Sequence, residues 1–338
     1  PTLSQIKTIF NTPISGNGMA RLTQLIHTPK SKILWLLDES GAAMVDIFIA
    51  NFLANLGHTV ILAVKETPVF KKISLADTRT DPILAKYLET ARFIHDKTIG
   101  KNKLVQLLKQ DENIYVISDG TQETLNLLLT STTFSRIFKE ADCVISRGRE
   151  QKNRLINTHF QFTRDIINIS PENKGLSITF KPRHPDFINF SHTDLEEKAN
   201  KIIDQMKSAK ARNMTVMFYS GIIGSIPGKI DVAKEIMSRF IEDLNQLSAD
   251  LFIINPSKYY EPGMDADDLM YMWEIVQRSG YIDIWRFQTA DDITHSFALM
   301  NKKVPPEWIG KDSTYSTGCT KEMRIAQDVQ KNNTEMQL

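Results

Sequence analysis

The chain alternates short apolar runs of strand length with segments whose apolar residues recur at helical spacing. This alternation predicts an α/β fold in which mostly parallel strands are joined by crossover helices. Strands are predicted at 33–37, 59–64, 114–118, 143–146, 165–169 and 176–180 in the first half, and at 215–219, 251–255 and 282–287 in the second.

The segment after the first predicted strand is typical of a helix that ends at a glycine. Its larger apolar residues fall near one face, together with one asparagine: Met44, Ile47, Phe48, Asn51, Phe52 and Leu56. Gly57 stands where a left-handed C-terminal cap belongs. Residues 33–64 therefore read as strand, tight turn, helix and strand.

A chain of 338 residues is long enough for two domains of ordinary size. Pro182 and Pro185 interrupt regular structure near the middle of the chain, and Thr193 with Glu196 is typical of a capping box that starts a helix. We therefore predict a first domain over 1–183 and a second α/β domain over 184–338.

Acidic and basic side chains nearly balance, with 41 Lys and Arg against 40 Asp and Glu and a formal net charge of +1. Such a chain lacks the electrostatic footprint of a protein that binds nucleic acid or an anionic membrane non-specifically. Its longest apolar stretch, 44–56, contains polar residues and falls short of the roughly 20 residues of a membrane span. A small or locally recognised ligand is the expected partner.

Cysteine usage favours a reducing compartment. Cys143 and Cys319 are far apart and have no CxxC spacing, which argues against a disulfide framework and against a zinc site of the usual kind. The N-terminal residues lack the basic, apolar and small-residue order of a signal peptide. We expect a cytoplasmic protein, and oligomerisation stays open.

An acidic turn, Asp38-Glu39-Ser40-Gly41, follows the first predicted strand. Open α/β sheets bind ligands outside the carboxyl ends of their strands, which makes this turn the first candidate site. Its two carboxylates suit a divalent cation or a basic group of a substrate. The alternative is that Asp38 and Ser40 cap the helix that follows.

The residues around this turn resemble the metal-dependent damage-control phosphatases, a family that also includes proteins named as acidic-residue carboxyl methyltransferases. The resemblance rests on LLDESG at 36–41, VD at 45–46, GHTVILAVKETP at 57–68 and ADCVISRG at 141–148. The family has an Asp-Asn-Ala-Gly turn, a Lys-x-x-Pro segment and a strand ending in Lys-Gly at the corresponding places. The resemblance covers about residues 31–170.

The resemblance implies a Rossmann-like α/β/α core that acts on small phosphorylated metabolites through a divalent metal, Mg²⁺, Mn²⁺ or Co²⁺. In the family, the Asp-Asn turn and the aspartate of an Asn-Asp-Val-Thr element hold that metal. Carried over by position, Asp38 keeps the first ligand, Glu39 replaces the second, and Lys72 falls where the third belongs.

Lys72 leaves two interpretations of this site open, because a lysine ammonium has donors only and cannot ligate a cation. In the first, Glu39 makes up the lost carboxylate, and Asp38 and Glu39 hold a catalytic metal. In the second, a pair between Lys72 and a carboxylate replaces the metal and hydrolysis is lost. The remaining Arg147, Arg149 and Lys71 would then suit an anionic ligand, and Lys72 is itself a candidate ligand-binding residue.

A glycine-rich turn follows the predicted strand at 215–219 and precedes a helix. Gly221, Gly224, Ser225, Gly228 and Lys229 expose backbone N–H groups near a positive helix end, which is how proteins hold phosphates and carboxylates. The spacing matches neither a P-loop nor GxGxxG. Anion binding and a purely structural tight turn both remain open.

Two further motifs in the second half carry candidate chemistry. Three aspartates lie within 265–268, where Asp265 is expected to be an N-cap rather than a metal ligand. Cys319 follows a loop rich in hydroxyls and precedes a helix beside Lys321, a setting that can lower a thiol pKa and make it a nucleophile. A small buried hydrophobe is the alternative for Cys319.

Three functions are consistent with these patterns. The first is a phosphatase-like hydrolase of a small phosphorylated metabolite, with intact or altered metal chemistry. The second is a non-hydrolytic binding or scaffold protein for an anionic small molecule or nucleotide. The third is a small-molecule transferase whose site lies between the two halves.

Overall fold

An eight-stranded sheet organises the first part of the computed structural model, which describes residues 11–28, 30–110, 112–172 and 175–338. Its strands are β1 (Ile14–Ser15), β2 (Lys32–Leu36), β3 (Thr59–Val64), β4 (Arg92–Ile94), β5 (Ile114–Ser118), β6 (Cys143–Arg147), β7 (Asp165–Glu172) and β8 (Gly175–Lys181). They lie in the order β1-β8-β7-β6-β2-β3-β5-β4. Every neighbouring pair is parallel except β7 and β8.

Helices connect these strands. They are α1 (Met19–His27), α2 (Ser40–Asn55), α3 (Asp77–Thr80), α4 (Pro82–Tyr87), α5 (Lys101–Leu108), α6 (Thr132–Glu140) and α7 (Gly148–Gln151), the last of which continues as a π-helical turn over Lys152–Ile156.

The central strand β2 is buried on both faces, as parallel strands in α/β folds usually are. Ile33 and Trp35 pack into a core on one face of the sheet together with Ile47 of α2. Leu34 and Leu36 pack into a second core on the other face. This layering confirms the predicted α/β fold with a mostly parallel sheet.

Two features of the sheet were not specified by the sequence prediction. Strands β1 and β4 were not predicted, because two or three residues are too short to produce a readable alternation. Strands β7 and β8 are antiparallel and form the exception within the mostly parallel sheet that was predicted. Only residues 173 and 174 separate them, and a parallel pair needs a crossover of a dozen or more residues.

Helix α2 buries a different face from the one that its large residues indicate. Ala43, Ile47 and Ala50 are buried against the sheet, while Phe48 and Phe52 are exposed. Small side chains allow a helix backbone to approach a sheet closely, so they occupy the packed face. The predicted cap is confirmed, since Gly57 follows the end of α2 with a φ of +90°.

The second unit runs from Phe190 to Leu338, and the first ends at Asn189. Its strands β9 (Thr215–Ser220), β10 (Leu251–Ile254) and β11 (Ile284–Phe287) form a parallel sheet in the order β10-β9-β11. Its helices are α8 (His192–Ala211), α9 (Ile230–Leu247), α10 (Ala266–Gln277), α11 (Ala290–Leu299) and α12 (Thr317–Asn332), with single 3₁₀ turns at Pro256–Tyr259, Pro306–Trp308 and Ser313–Tyr315. This unit is also α/β.

Helix α8 begins earlier than the sequence prediction. Its capping box is formed by Ser191 and Asp194 rather than by Thr193 and Glu196. None of the helices in the described ranges has the length and apolar character needed to cross a bilayer.

Candidate functional site

The candidate site of the first unit lies where β2 and β6 end. Asp38 follows β2 by two residues, and its Oδ1 accepts a hydrogen bond from Nζ of Lys72. The same Nζ lies 3.0 Å from Oε2 of Glu150, which belongs to α7 directly after β6. The ammonium of Lys72 is therefore held by two carboxylates.

Backbone hydrogen bonds place Lys72 at this position. The amide of Ser40 donates to the carbonyl of Lys71 at 2.8 Å, and the amide of Ile73 donates to the carbonyl of Asp38 at 3.2 Å. Residues 71–73 are thus fastened alongside the turn at Asp38. Because the Ser40 amide at the start of α2 donates to this loop, it is not available to bind a ligand.

Asp38 does not cap α2. The N-cap of α2 is Glu39, and no side-chain oxygen caps the helix. Glu39 pairs with Lys72 through a backbone bridge, and the residue is exposed. The capping alternative for Asp38 is not realised, and its carboxylate is left to pair with Lys72.

This arrangement does not fit the divalent metal that the resemblance implies. Of the two predicted ligands, Asp38 is engaged by an ammonium and Glu39 is exposed. A lysine ammonium repels a cation and donates hydrogen bonds only. Within the described ranges, no group of three His, Cys, Asp or Glu side chains is arranged to hold a metal ion. The expectation that Asp38 and Glu39 hold a metal therefore stays a prediction, and the contact between Lys72 and Asp38 disfavours it.

The pKa shifts keep Lys72 and Glu150 charged, whereas the pKa of Asp38 is raised. Burial lowers the pKa of Lys72, but the hydrogen bonds to Asp38 and Glu150 raise the pKa above its ordinary value. Burial raises the pKa of Asp38, and the hydrogen bond from Lys72 opposes that rise. The pKa of Glu150 is below its ordinary value because Lys72 outweighs the effect of burial. Lys72 is therefore a permanent cation at neutral pH.

Gly148 permits the close approach of α7 to Asp38. Its φ is +86°, a left-handed conformation that L side chains rarely adopt, and a Cβ there would lie 2.0 Å from Oδ2 of Asp38. The side-chain amide of Asn168 donates to the carbonyl of Gly148 at 3.2 Å and holds the turn. A glycine is therefore required at this position.

Arg147 serves a buried carboxylate. Its Nη1 lies 2.9 Å from Oδ1 of Asp46, whose side chain has no exposed surface. Burial raises the pKa of Asp46 to about 6, although Arg147 lowers it. Asp46 was part of the family resemblance, but its partner was not foreseen. The predicted anion-binding role of Arg147 competes with this ion pair.

Arg149 lines a separate cavity of about 730 Å³ in the same unit. Its Nε donates to the carbonyl of Pro171 at 3.0 Å. Lys152 and Ser170 also line the cavity. The three basic residues predicted to form one anion site are thus divided: Lys72 pairs with Asp38, Arg147 pairs with Asp46, and Arg149 lines this cavity.

Sequence reasoning missed two acidic partners. One branch of the family has an acid at the position of Arg149, and in this chain Glu150 stands one position later. This neighbouring acid was the signal that could have identified the partner of Lys72. Asp119 follows β5 directly and lies 2.6 Å from Nζ of Lys65, the lysine of the Lys-x-x-Pro segment. Both side chains of that pair are buried. Their positions directly after strands β3 and β5 were the signal in the sequence that could have predicted the pair.

Four of the six candidate residues of the second unit line a cavity of about 440 Å³. Gly221, Gly224, Ser225 and Cys319 line it, whereas Gly228 and Lys229 do not. Nζ of Lys229 lies 2.8 Å from Oε1 of Glu307. The glycine turn is present, but its lysine is paired elsewhere.

The structure favours a buried apolar role for Cys319 over a nucleophile, and it shows Asp265 as a helix N-cap. Cys319 is 3% exposed, and burial raises the pKa of its thiol to about 12, opposite to the shift that nucleophilic catalysis needs. Asp265 is the N-cap of α10 and forms a capping box with Asp268, as predicted.

The model of the damage-control phosphatase ARMT1-like domain matches residues 2–169 of the chain. The first unit carries an ARMT1-like domain. The resemblance read from 31–170 is therefore confirmed and extends further towards the N-terminus. No curated protein sequence matches the chain.

Two solved structures are similar to parts of the chain. A DUF89 family protein from Pyrococcus horikoshii is 16% identical over 52% of this chain and 55% of its own, with a TM-score of 0.37. The chain thus spans about half the length of that protein. The structure of LpCGTa in complex with UDP is 10% identical over 89% of this chain and 94% of its own, with a TM-score of 0.17. Assignment of the ARMT1-like domain rests on the family match.

Gly148→Ala should destabilise the ARMT1-like domain by about 1–3 kcal/mol, the usual cost of a strained backbone conformation. The added methyl would also displace Asp38 from Lys72. Urea unfolding followed by circular dichroism measures the change. Gly41→Ala is the matched control, because a Cβ at Gly41 meets no atom within 4 Å. Equal stabilities of the two variants would contradict the role given to Gly148.

Asp46 should make the ARMT1-like domain less stable as the pH rises. Its folded-state pKa of about 6 exceeds its ordinary value of 3.8, so the folded state binds more protons between these values. The favourable contribution is complete below about pH 4 and is lost as the pH rises through about 6.

The free energy of unfolding measured against pH tests this assignment. Relative to wild type, Asp46→Asn should gain stability between about pH 4 and pH 7, whatever its constant offset. Arg147→Gln removes the cation that lowers the Asp46 pKa, and it should move the loss to higher pH. Parallel curves for wild type and Asp46→Asn would refute the assignment.

Proposed function

We propose that the ARMT1-like domain of this chain binds a small phosphorylated metabolite without hydrolysing it through a metal. One observation carries the proposal: the ammonium of Lys72 contacts Asp38 at the position where the family resemblance expects a metal ligand. The ligand class is the one that the family acts on, and the lost hydrolysis follows from the changed charge.

The ammonium supplies the positive charge that a metal would otherwise bring to Asp38. A single positive charge compensates one carboxylate as an ion pair, but it offers no open coordination position for a phosphoryl oxygen or a water molecule. Glu150 adds a second carboxylate at 3.0 Å. Removing one partner of such a partly buried cluster is costly, so the pairing resists displacement by a cation.

The donors that line the cavity beside α7 support the proposal that the domain still binds an anionic ligand. The cavity is lined by Arg149, Lys152 and Ser170, and the hydroxyl of Ser170 is buried without a hydrogen-bond partner. Arginine and a free hydroxyl are suitable donors to phosphate oxygens. Lys152 also lies 3.4 Å from Glu172, so a bound anion would compete with Glu172 for that lysine.

Wild-type protein should release no phosphate from a panel of sugar phosphates in the presence of Mg²⁺, Mn²⁺ or Co²⁺. Lys72→Asp, by contrast, should acquire metal affinity, because it places a third carboxylate beside Asp38 and Glu150 in place of the ammonium. Isothermal titration with Mn²⁺ measures this gain, and Mn²⁺ should raise the melting temperature of the variant by mass action.

Lys71→Asp is the matched control, since Lys71 is exposed and adjacent in sequence. It should bind Mn²⁺ no better than wild type. Metal-dependent phosphate release by the wild-type protein that disappears in Asp38→Ala would overturn the proposal and establish a phosphatase instead.

Sugar phosphates should raise the melting temperature of the wild-type protein. Arg149→Gln and Lys152→Gln should each weaken the apparent affinity for these ligands about ten-fold, as derived from the ligand dependence of the melting temperature. The reason is the loss of a charged donor to the phosphate. Lys71→Gln should leave the affinity unchanged. Equal affinities in all three variants would remove the cavity beside α7 as the anion site.

A further inference from the structure

The cavity of the second unit has the size and lining of a small-molecule site. Its volume of about 440 Å³ falls within the range of ligand pockets, and it lies beyond the carboxyl ends of β9 and β10. Large apolar and aromatic side chains form much of its wall: Ile223, Tyr260, Met264, Leu269, Met270 and Trp273.

A buried carboxylate belongs to the same wall. Glu322 of α12 lines the cavity and is only 7% exposed. The hydroxyl of Ser220 donates to its Oε2, and the side-chain amide of Gln277 donates to its Oε1 at 3.0 Å. Both partners are neutral, so they orient the carboxylate without compensating its charge.

No cationic side chain compensates it from the cavity wall either. Residues 175–338 are all described, and within them no lysine, arginine or histidine lines the cavity. The other ionisable acid in the lining is Asp265. Lys229, on the glycine turn, pairs with Glu307. The cavity is therefore apolar with an acidic group at its wall, a poor environment for an anion.

We propose that this cavity binds a small organic amine, whose ammonium pairs with Glu322 and whose apolar body packs against Met264 and Trp273. The proposal concerns the second unit and does not depend on the function proposed for the ARMT1-like domain. It replaces the anion expected at the glycine turn with a ligand of opposite charge.

The physical reason is the cost of a buried charge without a countercharge. An isolated carboxylate in an apolar environment either takes up a proton or recruits a cation. Burial raises the pKa of Glu322 to about 7, so the group is close to the balance between these two states at neutral pH. A bound ammonium would stabilise the ionised form.

Binding should be measured on the full chain near pH 7.5 with three ligands that share one ring. These are 2-phenylethylamine, 2-phenylethanol and 3-phenylpropionate, which carry a positive, neutral and negative end. We expect the amine to bind about ten-fold or more tightly than the alcohol, because a charge-assisted hydrogen bond replaces a neutral one. The carboxylate should bind weakest.

Two substitutions separate charge recognition from simple filling of the cavity. Glu322→Gln keeps the volume and should abolish the preference for the amine over the alcohol. Gly224→Leu should weaken binding of both ligands, because Gly224 lines the cavity and a Cβ there meets no atom within 4 Å. Glu335→Gln, an exposed residue outside the lining, is the charge-matched control and should change neither.

The affinity for the amine should also rise between about pH 6 and pH 8, as Glu322 ionises, and should stay flat in Glu322→Gln. The other titratable side chains in the lining are Asp265, Tyr260 and Cys319, and burial raises the pKa of Cys319 to about 12.

Three results would overturn the proposal: a carboxylate ligand that binds as tightly as the amine, an amine preference that survives in Glu322→Gln, or no saturable binding of any of the three ligands. If Glu322→Gln does not fold, the ligand series on the wild-type protein and the Gly224→Leu variant still decide the outcome. Phosphate release and sugar phosphate binding are separate readouts, so failure here leaves the proposal for the ARMT1-like domain intact.

Discussion

The ammonium of Lys72 lies between Asp38 and Glu150, and the chemistry of the first unit depends on this contact. A carboxylate at the end of a buried strand needs a positive partner, because the sheet and helices exclude water from one side of it. The family resemblance expects a metal there. Under our proposal the ammonium of Lys72 takes the place of that metal and pairs with the Asp38 carboxylate without forming a coordination site.

The surrounding fold is built to keep that contact. The loop at 71–73 is fastened to the turn at Asp38 by backbone hydrogen bonds, and the missing side chain of Gly148 leaves room for the Asp38 carboxylate. Arg147 and Asp46 form a second pair nearby, and Lys65 and Asp119 a third. These three lysine and arginine side chains are thus each held by a carboxylate, and under our proposal the cavity at Arg149 is the surface that takes an anion.

The second unit has the opposite arrangement. Its buried carboxylate, Glu322, is oriented by Ser220 and Gln277 and lines a cavity of ligand size. Among the residues that the structure describes, no lysine or arginine forms an ion pair with it. In the first unit a lysine of the chain completes the charge. In the second unit, an external amine would do so under our proposal.

The sequence by itself determined the parallel α/β class, the acidic turn at Asp38, the family resemblance and the caps at Gly57 and Asp265, because these depend on local periodicity and short spacing. Only the tertiary structure decided the partner of each charge. Glu150 contacts Lys72, and Glu322 accepts a hydrogen bond from Ser220, through contacts between residues distant in sequence. Ser220 and Glu322 are 102 positions apart. The buried face of α2 and the antiparallel β7–β8 pair were decided in the same way, since side-chain size and connection length act through packing rather than through local pattern.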